Sequence, residues 1–162
     1  MKLEPLLLLP GMMCDSRMYA SQISALEDLT ECQVGNIGGA NNMVDIAAQV
    51  LAQAPDKFAL AGLSMGGIVA MEIIRQSPER VTRLALMNTN PCAEEDAVKV
   101  TRQPQIDAVR AGRLEPVLRD TMVPRYFATQ EAHRLFDQLC VDMALSQGED
   151  VFVRQSLALK NR

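Results

Sequence analysis

A serine with glycines two residues to either side, Gly62-Leu63-Ser64-Met65-Gly66, follows the apolar run Phe58–Ala61 and precedes the amphipathic run Ile68–Gln76. That order predicts a strand turning sharply into a helix, with the serine at the apex. A serine at such a bend is held in a strained backbone conformation and projects its hydroxyl off the end of the sheet. Gly62 and Gly66 are small for a steric reason, since side chains there would collide across the turn. The first helical turn lies beneath the hydroxyl. Its free N–H groups and positive dipole end favour negative charge on a substrate oxygen. The chemistry these parts suit is attack of the hydroxyl on a carbonyl.

The rest of the chain supplies elements that place this turn. Leu6–Leu9 reads as a short strand buried on both faces, and Pro10–Ser16 as the loop after it. Asp15 or Ser16 is a reasonable N-cap for a helix from Arg17 to about Glu27, with Met18, Ile23 and Leu26 on its apolar side. Thr30–Gly35 gives a second strand. Ile37–Asn41 is a Gly-rich loop without the spacing of a phosphate cradle. Asn41 or Asn42 opens a helix through Ala54, with Val44, Ala47, Ala48 and Leu51 at helical spacing, and Pro55 closes it. The helix after Ser64 breaks at Ser77-Pro78, and Arg83–Met87 is the next strand. Strands alternating with helices require a parallel sheet covered on both faces. In open sheets of this kind the site lies beyond the carboxyl ends of the strands, where the Pro10 loop and Ser64 both fall.

On Gly-Leu-Ser-Met-Gly in this strand–helix context, and on the upstream loop Pro10-Gly11-Met12, the chain resembles the α/β-hydrolase fold superfamily of serine hydrolases. The likeness runs from Leu6 to about Met87 and more loosely through the remainder. It implies a partial α/β-hydrolase fold: about four mostly parallel strands flanked by helices in residues 1–90, then a helical lid in residues 91–162. It implies Ser64 as nucleophile, with the backbone N–H groups of Met12 and Met65 as oxyanion-hole donors. Each such donor contributes about 2.7–4 kcal/mol to transition-state stabilisation. Relatives usually carry histidine where Pro10 stands, but the contribution is made by backbone. The lid is expected as helices over Ala93–Ala111 (interrupted near Pro104), Thr129–Ser146 and Asp150–Leu159, with a short turn around Leu114–Asp120. Met122, Tyr126, Phe127 and Phe136, with Leu139 and Met143, are its candidate pocket lining. Dehalogenases and epoxide hydrolases resemble the same scaffold but carry Asp at the position of Ser64.

A serine hydrolase of this kind needs a histidine base and an acid to orient it, in the chain order serine, acid, histidine. The only histidine is His133, in the charged stretch Glu131–Arg134, which reads as a solvated face of a lid helix. One alternative position for the acid follows the strand ending at Met87 and reads Asn88-Thr89-Asn90, amides and a hydroxyl that cannot support an imidazolium. Base and acid are therefore expected in sequence after Arg162, in two further βα units of roughly 30 or more residues each. The Arg83–Met87 strand would then be left as an unprotected edge, open to self-association.

Composition narrows the partners. The 162 residues are 48% hydrophobic and 22% charged, an ordinary globular balance for one sizeable core. Net charge is −4 and no basic stripe carries interleaved aromatics, which argues against nucleic acid. Cys14, Cys32, Cys92 and Cys140 lack metal-type spacing and read as free thiols of a reducing cytoplasm, Cys14 as a small packed residue near the first loop. The N-terminal apolar run is interrupted by Glu4 and Pro5, too short for a secretory leader or a membrane span. No cofactor or metal is expected, and the partner expected is a small acyl compound such as an ester or thioester. Two function classes follow: a serine hydrolase completed by further sequence, or a catalytically inactive hydrolase-fold binding module.

Overall fold

The computed structural model describes residues 4–162, so Met1–Leu3 of the interrupted N-terminal apolar stretch lie outside the described residues. Four strands, β1 (Leu6–Leu9), β2 (Cys32–Val34), β3 (Phe58–Leu63) and β4 (Val81–Met87), form one parallel sheet in the order β2-β1-β3-β4. β1 is central, pairing with Cys32–Val34 on one side and with Ala59–Gly62 on the other. Its four leucines can be apolar throughout because both faces are covered.

Alternation along the strands sorts their side chains. Leu7, Leu9, Phe58 and Leu60 pack with α2 (Met43–Gln53) and α3 (Met65–Gln76) in the main cluster. Leu8 and Ala61 pack instead with Tyr19, Met18 and Ile23. Those three come from a 3₁₀ turn, Ser16–Tyr19, and helix α1, Ala20–Leu26. Asp15 caps the turn by accepting from the Arg17 amide, and Asn42 caps α2 by accepting from the Asp45 amide. The buried stripe of α2 starts one residue earlier than expected, at Met43, and continues through Ile46, Ala47, Val50 and Leu51. Val44 and Ala48 consequently face solvent.

After β4 come helices alone among the described residues: α4 (Asp96–Arg110), α5 (Leu114–Val117), α6 (Gln130–Gln147) and α7 (Glu149–Lys160). A π turn (Leu118–Met122) and a 3₁₀ turn (Val123–Arg125) link α5 towards α6. The expected break at Pro104 does not occur, and α4 runs through it. Proline removes one helical hydrogen bond, but Ile106 and Val109, both fully buried, anchor the following turn. One apolar cluster joins Leu9 and Leu60 of the sheet to Val109, Leu118 and Phe152 of the helical segment. Among the described residues β4 is an edge, with Leu84 and Leu86 exposed. No described helix is long and apolar enough to cross a membrane.

The tightest point of the fold is the β3–α3 turn. A Cβ on Gly66 would lie 2.2 Å from the Leu9 carbonyl oxygen, and one on Gly62 2.4 Å from the Gly66 carbonyl oxygen. Both obstacles are backbone, which cannot swing aside as a side chain can. Gly66→Ala is expected to destabilise the chain by about 1–3 kcal/mol or more. A lowered urea midpoint checks it, and an unchanged midpoint contradicts the packing described.

Candidate functional site

Ser64 sits between β3 and α3 with φ 53° and ψ −116°, a left-handed conformation rare for a residue with a side chain. Such strain costs on the order of 1–3 kcal/mol and persists only where the surroundings enforce it. Here both backbone groups of the serine are held. Its N–H donates to the Met87 carbonyl at 2.9 Å. Its carbonyl accepts from the amides of Gly67 (3.0 Å) and Ile68 (3.2 Å) and from the Thr89 hydroxyl at 2.7 Å. The residue itself is exposed, in the wall of a cavity of about 660 Å³.

The loop after β1 forms a second wall, with Gly11, Met12 and Cys14 facing the same cavity. Met65 lines it too, at the first turn of α3. Among the described residues no protein acceptor takes the amide hydrogen of Met12 or of Met65. The loop is fixed from the helical side. Met13, at φ 58°, donates its amide to Oε1 of the fully buried Gln155 at 2.9 Å, and the Gln155 amide reaches the Ile37 carbonyl at 3.4 Å. Arg154, beside it on α7, donates to the Gly38 carbonyl at 2.7 Å. One helix therefore clamps the loops at the carboxyl ends of both β1 and β2.

Of the expected lining residues, Met122, Tyr126, Phe127 and Met143 reach the cavity. Phe136 does not: it lies half-exposed on α6 and stacks on Phe127 with ring centroids 6.3 Å apart. Leu139 is likewise absent from the wall. His133 is packed edge-on against Phe127, 5.8 Å between centroids, and does not line the cavity. The histidine expected on a solvated helix face is instead half-buried against an aromatic ring. Asn88, Thr89 and Asn90 do line the cavity, but bring no carboxylate.

Sequence reasoning gave no positioning role to Thr89 or Gln155 and did not bring Glu94 together with Arg102 and Arg162, all at or against this cavity. Gln155 carried a signal. It falls in the helical stripe Phe152, Gln155, Ser156, Leu159, where a polar residue on the core-facing side implies a buried hydrogen-bond partner. Thr89 carried none, because its acceptor lies 25 positions away.

Burial raises both thiols of the cavity wall, Cys14 and Cys140, above their ordinary range. Burial, reinforced by nearby Cys140 and Asp15, pushes the Cys14 thiol from its ordinary 9.0 up to about 12. Burial does the same to Tyr19, raised to about 12, whose hydroxyl donates to the Leu9 carbonyl at 2.9 Å. Among the described residues no three His, Cys, Asp or Glu side chains converge to hold a metal ion.

No known family profile matches the sequence. Solved structures do match. A thermophilic esterase from Thermogutta terrifontis, solved with malate bound, is 26% identical with a TM-score of 0.84, over 99% of this chain and 65% of that one. The enol-lactonase of Burkholderia xenovorans LB400 is 19% identical with a TM-score of 0.81, over 97% of this chain and 65% of that one. A carboxylesterase structure from the thaumarchaeon Nitrososphaera gargenis is 16% identical with a TM-score of 0.81, over 98% and 64% of the two chains. This chain spans about 65% of the length of the proteins it matches.

Two outcomes follow for the thiols. Iodoacetamide near neutral pH should modify exposed Cys92 readily and leave Cys14 unmodified in the folded chain, read by peptide mass. Because the folded Cys14 pKa exceeds the unfolded one, its contribution to stability is complete below pH 9 and lost as pH rises towards 12. A melting temperature that holds constant across that window contradicts the buried placement. By its parallel four-stranded sheet and these likenesses, the chain has the α/β-hydrolase fold.

Proposed function

We propose that the chain carries the nucleophile and oxyanion-hole part of a serine hydrolase acting on a small ester or thioester-like acyl compound. The observation that carries this reading is the left-handed, fully tethered Ser64 exposed at the cavity wall. In the reaction Ser64 Oγ attacks the acyl carbonyl and its proton passes to a base. The carbonyl oxygen becomes an alkoxide, held by the Met12 and Met65 N–H groups, neither of which has another acceptor among the described residues. The α3 N-terminus adds its positive dipole end to the same point. Collapse of the intermediate expels the alcohol or thiol and leaves an acyl-serine, which water hydrolyses. The named activities of the matched structures, esterase, enol-lactonase and carboxylesterase, are acyl chemistry of this type.

The base and its orienting acid are the parts this reading takes from outside the 162 residues. His133 is turned to Phe127, and no carboxylate follows β4 directly. That same observation favours a second reading, a hydrolase-fold module that binds without turnover. Fluorophosphonate labelling separates the two, since the reagent needs an activated serine. The protein expressed from its own reading frame is expected to take up one label per chain, lost entirely in Ser64→Ala. A folded, native-length protein that takes up no label establishes the binding module instead.

A further inference from the structure

The cavity wall beside Ser64 carries an unbalanced charge. Its ionisable lining includes three arginines, Arg102, Arg125 and Arg162, against one carboxylate, Glu94. Arginine stays protonated at every pH at which a protein folds. Glu94 can neutralise only one of them.

Hydrogen bonding sharpens this. Glu94 is buried between two guanidinium groups. Nε of Arg102 donates to its Oε2, and Nη2 of Arg162 lies 3.5 Å from its Oε1. Arg162 spends Nη1 on the Asn90 carbonyl at 2.9 Å, while its buried Nε meets no acceptor. The two terminal nitrogens of Arg102 meet no protein acceptor among the described residues, although its side chain is only 15% exposed. A guanidinium offers five N–H donors, and the unused ones of Arg102 stay accessible at the cavity wall while Glu94 holds its Nε. Asn90, which holds Arg162, follows directly on Thr89, whose hydroxyl holds the Ser64 carbonyl. The surplus cation is therefore tied to the same backbone as the serine turn.

We infer that Arg102 and Arg162 form a carboxylate-binding subsite, so that the acyl compounds taken by this cavity carry a second, free carboxylate. A planar carboxylate matches the paired N–H groups of a guanidinium, and burial strengthens the contact. Glu94 orients the two arginines and tempers their charge. Neutral esters would enter the same space but leave these donors unpaired, which is how such sites discriminate. The substrate class rests on the Ser64 reading; the anion subsite itself does not.

Calorimetric titration of the chain with monomethyl glutarate and with dimethyl glutarate tests it. The two probes differ in one carboxylate. The monoester should bind at least about tenfold tighter, a modest share of what a charge-assisted bidentate contact supplies. Arg102→Gln should erase the preference, Arg102→Lys should keep part of it, and Glu94→Gln should enlarge it. A purely structural ion pair predicts no such opposite response to removing cation and anion. Equal affinity for the two esters, binding of neither, or a preference unchanged in Arg102→Gln (folded by circular dichroism) overturns the subsite. A neutral fluorophosphonate reports separately on Ser64, so failure of the serine reading and failure of the subsite are distinct results.

Discussion

A carbonyl oxygen of β1 and a glycine of α3 occupy almost the same space. Leu9 O would stand 2.2 Å from any Cβ at position 66, so the helix meets the sheet at backbone contact. That contact leaves no room for a gradual turn between β3 and α3. The residue at the apex must take a left-handed conformation, and the chain places Ser64 there at φ 53°. The strain is offset locally by four hydrogen bonds to Ser64's own N–H and carbonyl, one of them from Thr89 after the neighbouring strand. Steric exclusion, then, and not side-chain preference, sets where the hydroxyl points.

The helical segment acts on the same end of the sheet. Gln155 and Arg154, adjacent on α7, bond to loop backbone after β1 and β2. Arg162, past the end of α7, bonds to backbone after β4. The loops around the cavity are thereby pinned by helices some 70 to 140 positions later in the chain. Buried polar groups of this kind are costly unless satisfied. Their use here fits a need for position over stability, since an apolar residue at 155 would fill the core but leave the Met13 amide bare.

Sequence pattern was sufficient wherever periodicity or a short-range steric rule governs. The strand at Leu6–Leu9, the Ser64 bend and the order of α and β elements follow from runs, glycines and caps. It misled at Pro104, where two buried neighbours outweigh a missing hydrogen bond, and at Val44, where the helical stripe is set one residue earlier. Phe136 shows the limit more sharply. Its spacing on α6 matches that of residues facing the cavity, yet its ring backs onto Phe127 because that aromatic already fills the wall. The cluster of Glu94, Arg102 and Arg162 was not legible at all. Arg162, two residues past α7, joins Glu94 and Arg102 only when the end of the chain packs over α4 and the β4 loop, a contact 68 positions apart that no local pattern encodes.

The proposed reaction requires Ser64 Oγ and the Met12 and Met65 amides, all in the wall of one cavity, to face a common point. A crystal structure of the protein with an alkyl boronic acid, which forms a tetrahedral adduct on a reactive serine, reads that point directly. Boron bonded to Ser64 Oγ, with one boronate oxygen about 2.7–3.1 Å from both amide nitrogens, is the expected result. An adduct whose oxygens all point away from residues 12 and 65, or boron bound elsewhere with Ser64 free, contradicts it.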